Sequence, residues 1–296
     1  MRGLAPCTAL LLVGVVLVSF TGWLFAPGDS AAVIRPQAGA LLIPLGLCLW
    51  TMRLRRVAVV SLVAAILALG SVVPGFLAPD AKCSGDCLIL YQKNLLSKAW
   101  PRYPLADEII GSGAQIVTLQ EVSDHNRHFM APLFDYYPVA VTCAFRPAQD
   151  VVVLTSLPVV EGSQFCLDGA GLAGVQVEAP DGRLIWALSV HLPWPYPFDQ
   201  FRQSRLIAAR IGDMQGPILI GGDFNMVPWG ASVRRIAQAA ASRYLGPFRN
   251  TFNLGGWYLP LPQDMVLIPQ GSGGSVELRP YNGSDHLGVL AQIDLR

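Results

Sequence analysis

Residues 1–78 hold one acidic side chain, Asp29, against five arginines: Arg2, Arg35, Arg53, Arg55 and Arg56. Apolar residues fill the rest in three stretches, 7–26, 34–52 and 57–78. About a quarter of the residues in an ordinary soluble domain are charged, so this segment is not built to be one. The first and third stretches are long enough to cross the roughly 30 Å hydrocarbon layer as helices. Arg35, Pro36 and Gln37 shorten the strictly apolar part of the middle stretch, where a re-entrant or buried segment competes with a span.

Arginine placement sets the expected orientation. With three spans, Arg53, Arg55 and Arg56 share a side with Arg2 and the N-terminus. The positive-inside bias makes that side cytoplasmic, and the third helix delivers the following residues to the outside. With two spans, the arginines from Arg35 to Arg56 would be translocated and the remainder would stay inside. The three-span reading predicts a multi-pass protein of the cell (inner) membrane, with an anchor over 1–78. The domain over 79–296 then lies on the exoplasmic, periplasmic side. A cleaved signal peptide accounts for the first stretch but not the third.

Cysteine usage agrees with that placement. Cys7 and Cys48 sit in apolar stretches, where a thiol is a small hydrophobe. Cys83, Cys87, Cys143 and Cys166 lie in the polar part. Cys83 and Cys87 could close a small loop in an oxidising compartment, with free thiols as the alternative. No histidine or further cysteine lies near enough in sequence for a zinc site.

Pro79-Asp80 ends the last apolar stretch, and the remaining chain is long enough for one substantial core. Residues 83–296 carry fifteen Lys plus Arg against eighteen Asp plus Glu, a net charge of −3. That balance disfavours a nonspecific grip on duplex DNA, where neutralised phosphates supply most of the affinity. Short apolar runs at 87–92, 116–120, 151–155, 172–177, 184–190, 218–220, 265–268 and 287–293 read as strands. Helical patterns cover 105–112, 200–214 and 231–242. Pro180-Asp181-Gly182 predicts a hairpin, and the excess of strands predicts a mixed α/β sheet domain.

Polar residues recur at the strand ends: Asn94, Glu121, His191, Asp223 and, just before a strand, Asp264. A sheet gathering those ends would focus an amide, three carboxylates and, with His286, two imidazoles on one rim. Such a set offers a water activator, a phosphate-orienting amide and charge-stabilising imidazoles, as metal-assisted phosphoester cleavage needs. Each residue has a plainer reading alone: a surface glutamate, a turn asparagine, a capping aspartate, a structural histidine. The aromatic run Trp194-Pro195-Tyr196-Pro197-Phe198, with Trp229, Trp257 and Tyr258, could stack on a base, cover a lipid headgroup or pack in the core.

Gln92-Lys93-Asn94, Leu119-Gln120-Glu121-Val122, Ser189-Val190-His191-Leu192, Gly222-Asp223-Phe224-Asn225 and Ser284-Asp285-His286 occur in that order. Their types and order resemble the endonuclease/exonuclease/phosphatase superfamily over about residues 87–296. That group includes deoxyribonuclease-I-like nucleases, apurinic endonucleases, neutral sphingomyelinases and inositol polyphosphate 5-phosphatases. The resemblance implies a four-layer α/β/β/α sandwich, here preceded by N-terminal transmembrane helices, with a divalent ion, Mg²⁺ or Mn²⁺, at the rim. It implies Glu121 as principal metal carboxylate, Asn94 as ligand or phosphate positioner, and Asp285 at or beside the metal. Asp223 would prepare the attacking water, Asn225 would hold the phosphate, and His191 and His286 would stabilise charge, with Asp264 fixing His286. Gln200, Arg202 and Gln203 resemble a supporting polar cluster. Met265 and Gly288 depart from the pattern, which commonly has a polar residue and a proline there.

The expected activity is therefore metal-dependent phosphoester hydrolysis by in-line water attack at the bilayer, on a lipid headgroup or small phosphoester. A membrane-anchored nuclease and a catalytically silent receptor for a phosphorylated ligand are the alternatives. Nothing in the sequence points to a protein partner.

Overall fold

The computed structural model describes residues 4–81, 83, 85–98, 103–253 and 259–295. Arg2, Trp257 and Tyr258 lie outside the described residues. The N-terminal segment forms α1 (Leu4–Ser19), α2 (Ala26–Val33), α3 (Arg35–Thr51), α4 (Arg55–Gly70) and the one-turn α5 (Val73–Phe76). Small residues let α1, α3 and α4 approach closely: Ala9, Ala38, Ala58, Ala64, Ala65 and Ala68 line the seam with Leu42 and Leu49. The guanidinium of Arg35 ties the three helix ends nearest the following domain. It donates to the Ser19 hydroxyl (2.8 Å) and carbonyl and to the Ser71 hydroxyl (3.4 Å).

The first apolar stretch gives a shorter helix than its composition predicts. The helix stops at Ser19, where the chain turns; Thr21 Oγ1 donates back to the Val18 carbonyl (2.6 Å) and Gly22 lies against the Asp29 backbone. At 1.5 Å per residue, sixteen residues span about 24 Å. Among the described helices, only the continuous 55–76 segment (22 residues) is itself long and apolar enough to cross a membrane. Helices α2 and α3 reach that length together but are bent by 63°.

The polar part is a sandwich. One sheet has the order β13-β14-β1-β2-β4-β3, from β1 (Leu88–Asn94), β2 (Ile116–Val122), β3 (Val139–Cys143), β4 (Asp150–Thr155), β13 (Gly273–Arg279) and β14 (Gly288–Asp294). The other runs β5-β6-β7-β8-β12-β9, from β5 (Phe165–Leu167), β6 (Leu172–Glu178), β7 (Leu184–His191), β8 (Ile218–Asp223), β9 (Ser242–Tyr244) and β12 (Asp264–Pro269). A two-stranded ribbon pairs β10 (Phe252–Asn253) with β11 (Pro260–Leu261). The sheets face each other through valine, alanine and leucine side chains, among them Val153, Val175, Ala187, Leu219 and Val289.

Helices α6 (Tyr103–Gly111), α7 (Asp124–Phe129) and α8 (Ala131–Tyr136) cover the first sheet with Leu105, Ile109, Phe129 and Leu133. Helices α9 (Gln200–Gly212) and α10 (Ala231–Ala239) cover the second with Ile207, Ile211, Val233 and Ile236. Every strand expected from the apolar runs is present, as is the β6–β7 hairpin. Disulfides join Cys83 to Cys87 and Cys143 to Cys166, the second linking β3 and β5 across the edges of the two sheets.

The N-terminal helices pack on the sandwich through α2. Gly230 precedes α10 and supplies no capping side chain. The buried Asp29 carboxylate takes that role from far away in sequence, accepting from the Ala231 amide (2.6 Å), the Ser232 amide (2.9 Å) and the Ser232 hydroxyl. Its charge also meets the positive end of the helix dipole. Trp229 Nε1 donates to the Ala32 carbonyl (2.7 Å), and Phe76, Trp229 and Phe248 cluster beside it. Replacing Asp29 by alanine removes the cap and leaves its donors buried, at a cost of about 1–2 kcal/mol. The expected result is a lower melting temperature with faster hydrogen exchange at Ala231 and Ser232, while amides of β1 and β2 keep their protection.

Candidate active site

The rim forms because parallel strands end together. In the first sheet β1 and β2 run parallel, bringing Asn94 beside Gln120 and Glu121. In the second, β7 and β8 run parallel and pair His191 with Asp223, while antiparallel β12 sets Asp264 opposite Asp223. The Gly221-Gly222 pair lets the elements close up. A Cβ at Gly221 would fall on the Thr118 hydroxyl of the facing sheet, and one at Gly222 on the Val190 carbonyl.

Asp223 is the hub, and it is buried. Oδ1 accepts from the Asn225 amide (2.9 Å), and Oδ2 accepts from Asn94 Nδ2 (2.9 Å) and Asn225 Nδ2 (3.2 Å). His191 Nε2 stands 3.6 Å from Oδ2 and His286 Nε2 3.9 Å. Burial raises the Asp223 carboxyl to about 7, against the opposing pull of the His286 charge. The left-handed φ of Asn225 (46°) folds its side chain back onto Asp223 and the Leu192 carbonyl.

His286 is the cation of the set. Burial opposes its charge, but the Asp264 and Asp223 carboxylates outweigh that and lift it to about 10. Nδ1 lies 2.7 Å from Asp264 Oδ2, which fixes the ring. Asp264 is correspondingly held below its usual range: burial pushes it up, and His286, Thr251 and Gln92 more than offset that. His191 differs. Burial lowers it to about 4, so it is neutral at physiological pH, with Phe145 edge-on at 5.2 Å. Its Nδ1 is buried without a hydrogen-bond partner among the described residues.

Glu121 and Asp285 lie at the water-facing lip, with Asn94 buried beside Glu121. Glu121 is half-buried with φ 54°, at an irregularity in the β2–β4 pairing. Its Oε1 sits 3.4 Å from Asn94 Nδ2 and its Oε2 accepts from the Ser97 amide (2.9 Å). Asp285 is exposed. Two carboxylates partly open to water suit a hard divalent cation that keeps several waters, while the Asn94 amide oxygen accepts from the Leu96 amide (2.8 Å). Asp223, Asp264 and His286 also bring ligand atoms within 4.8 Å of one another. That trio is better read as an ion-paired network, because protonated His286 has no lone pair and Asp223 is already occupied by Asn94 and Asn225. A cleft of about 640 Å³, bordered by Ser97, Lys98, Val122, Ser123 and Asp150, opens beside Glu121.

Several supporting residues carried no assigned role in the sequence. Asn126 closes a capping box with Ser123 and donates to the Glu121 carbonyl (2.7 Å), securing the strained backbone there. Its signal is the Ser-x-x-Asn spacing before α7. Gln92 joins the sheets, donating to Gln120 (2.7 Å) and Asp264 (3.0 Å), and Gln120 continues to Ser189 (3.1 Å). Lys93 is buried and donates to the carbonyls of Pro280, Tyr281 and His286, pinning the loop that carries Asp285. Gln200 and Gln203 support the site as expected, holding the carbonyls of Pro193, Phe224, Asn225, Ala170 and His191. Arg202 does not join them; it pairs with Asp199 on the surface. Gly288 replaces the expected proline beside the Tyr91 hydroxyl, which lies only 2.6 Å from where a Cβ would stand.

Asp264→Asn removes the main attraction on the His286 proton while leaving burial in place. The His286 pKa then falls by more than a unit, measurable by NMR titration of its ring carbons. The sign for stability follows from a folded value near 10 against an ordinary 6.5. The histidine's contribution is full below about 6.5 and is lost as the pH climbs through about 10.

The sequence profile of the Endonuclease/Exonuclease/phosphatase family matches residues 83–286. No curated protein sequence matches the chain. Among solved structures, the endonuclease/exonuclease/phosphatase from Bacteroides vulgatus aligns with a TM-score of 0.58 at 13% identity, covering 72% of this chain and 100% of that one. Sphingomyelinase C from Streptomyces griseocarneus aligns at 0.52 and 18% identity, covering 70% and 99%. The human Nocturnin catalytic domain aligns at 0.53 and 16%, covering 75% and 98%. These likenesses are of fold. The profile spans more than half the chain, and the chain belongs to the endonuclease/exonuclease/phosphatase family, whose members hydrolyse phosphoesters and generally depend on a divalent metal.

Proposed function

We propose that this chain is a membrane-anchored phosphoester hydrolase dependent on Mg²⁺ or Mn²⁺. Its substrate is a lipid headgroup or small phosphoester; residues 1–78 are the anchor, and residues 79–296 work on the exoplasmic side. The observation that carries the activity is the buried run Asp264–His286–Asp223, with Asn94 and Asn225 fixing the last carboxylate. A binding pocket for a phosphorylated ligand needs cations facing it. It has no use for a buried carboxylate poised near neutrality.

Asn94, Glu121 and Asp285 would hold the cation, which when bound supplies Lewis-acid polarisation of a phosphoryl oxygen. Asp223 takes a proton from water as the water oxygen bonds to phosphorus and the ester P–O bond breaks. A carboxyl near 7 balances base strength against the fraction deprotonated. His286 stabilises the negative charge that builds on the phosphoryl oxygens, and Asn225 holds the group in line. Neutral His191 donates a hydrogen bond without adding charge, and the leaving oxygen is protonated from water. Preorganised electrostatics of this kind dominate most phosphoryl transfers. The absence of a basic excess favours a lipid or small ester over duplex DNA.

Full-length protein in detergent, given an activated phosphodiester with Mg²⁺, should turn over and stop with chelator. Asp223→Ala and His286→Ala should each lower kcat by about 10²–10⁴. Activity that survives either change, or is indifferent to chelator, overturns the reading. The rate should rise as Asp223 loses its proton near 7 and fall as His286 loses its own near 10.

A further inference from the structure

The helical segment meets the sandwich at the end where the catalytic rim lies. Strand β8 reaches the rim at Asp223, and the chain goes directly from there through Trp229 to the start of α10. That start is where Asp29 binds, and Trp229 reaches the Ala32 carbonyl. Strand β9 runs antiparallel to β12, pairing Tyr244 with Leu267, so residues beyond Tyr244 head toward the Asp264 end. Phe248 lies there, and its amide donates to the Gly75 carbonyl (2.9 Å). Three separate contacts thus place α2 and α5 toward the rim. From α5 the chain runs back along the sheet edges past Gly273 and Gly274, away from the rim, while Pro180-Asp181-Gly182 turns between β6 and β7 at the opposite pole.

The loop leaving the catalytic strand β7 joins this surface. Trp194 packs on Phe252 (5.8 Å), which lies against His286 (4.6 Å). Tyr196 and Phe198 point outward, 56% and 54% exposed, and the Tyr196 carbonyl accepts from Ser30 of α2 (3.3 Å). Next to them the turn between α1 and α2 exposes Trp23, Leu24 (81%) and Phe25. Arg235 lies over Trp23 (5.2 Å), and Arg205 is exposed on α9, as is Arg202 with its partner Asp199. Exposed aromatics and leucine bordered by arginines, continuous with apolar helices, match a lipid–water interface with anionic headgroups.

We infer that α2 and the loop 193–198 form a bilayer-facing surface that holds the catalytic rim at the lipid–water interface, so that the site prefers phosphoesters carried by the bilayer over the same ester free in water. The inference rests on the membrane-anchored hydrolase reading above and adds an orientation to it. The rim faces the layer in which the anchor sits, and the Asp29 cap is the joint that keeps it there.

The test uses the full chain in nanodiscs of phosphatidylcholine and phosphatidylglycerol. Cys7 and Cys48 are replaced by alanine, and a nitroxide is attached through Phe198→Cys or, at the far pole, Asp181→Cys. The label at 198 should collide with oxygen more than with a water-soluble nickel chelate, and the label at 181 should show the reverse. Equal, water-like behaviour at both sites overturns the docking surface. So does exclusion of both relaxants at 198 with spin–spin broadening, which would mean a second copy covers it. In parallel, a nitrophenyl phosphodiester bearing one long alkyl chain is compared with methyl nitrophenyl phosphate. In the Tyr196→Ser, Phe198→Ser double variant the ratio of bilayer to soluble turnover should fall about tenfold. An unchanged ratio overturns the preference. Lipid contact at 198 with no turnover of either ester by the parent chain would sink the hydrolase reading and the preference with it, while the docking surface stands.

Discussion

A protonated imidazole buried between two carboxylates is expensive to leave incomplete, and the arrangement of the rim follows from completing it. His286 keeps its proton because Asp264 bonds one ring nitrogen and Asp223 faces the other. Asp264 stays ionised because His286, Thr251 and Gln92 satisfy it. Asp223 accepts three hydrogen bonds but stands 3.9 Å from the His286 ring nitrogen against 2.7 Å for Asp264, and burial raises it to about 7. One cluster therefore holds a fixed anion, a fixed cation and a carboxylate able to exchange its proton. These are different roles drawn from similar groups by environment alone.

That cluster sits on a second polar layer spanning both sheets. Gln92, Gln120 and Ser189 bond across the sandwich just below the rim, where the rest of the interface is aliphatic. Buried amides restrict the sheets to one register, since a slip would leave them unpaired. Lys93 does the same for the loop bearing Asp285 and His286. The lip bearing Glu121 is held more lightly, through the Ser97 amide and the Asn126 clamp, and Glu121 adopts a left-handed φ there.

The sequence made eight strands legible because each is a short apolar run closed by a turn, and several of the residues ending them meet at the rim; β3, β5, β9, β10, β11 and β13 went unread, being short, polar or glycine-rich. It hid what depends on pairing across long separations. The Gln92–Asp264 bond joins residues 172 apart, and no periodicity connects them. Pairing Cys83 with Cys87 leaves Cys143 for Cys166, but what brings those two together is that β3 and β5 are edge strands of the two sheets. Arg202 sat within a polar cluster yet faces water, because helical spacing turns it away from Gln200 and Gln203. Apolar composition overestimated α1, whose end is set by the turn at Thr21 and Gly22 and not by hydropathy.

Asp29 joins these two kinds of information. As the one acid among the first 78 residues, it stood out as an exception to an apolar pattern. A carboxylate in such a setting needs a partner, because burying it alone costs far more than any packing gain. The sequence shows the need and cannot name the partner, which proves to be a helix N-terminus 202 residues away. Gly230 leaves that terminus without a cap of its own, so each defect completes the other. Because α10 follows the strand that carries Asp223, the same bonds that cap the helix fix where α2 lies relative to the rim.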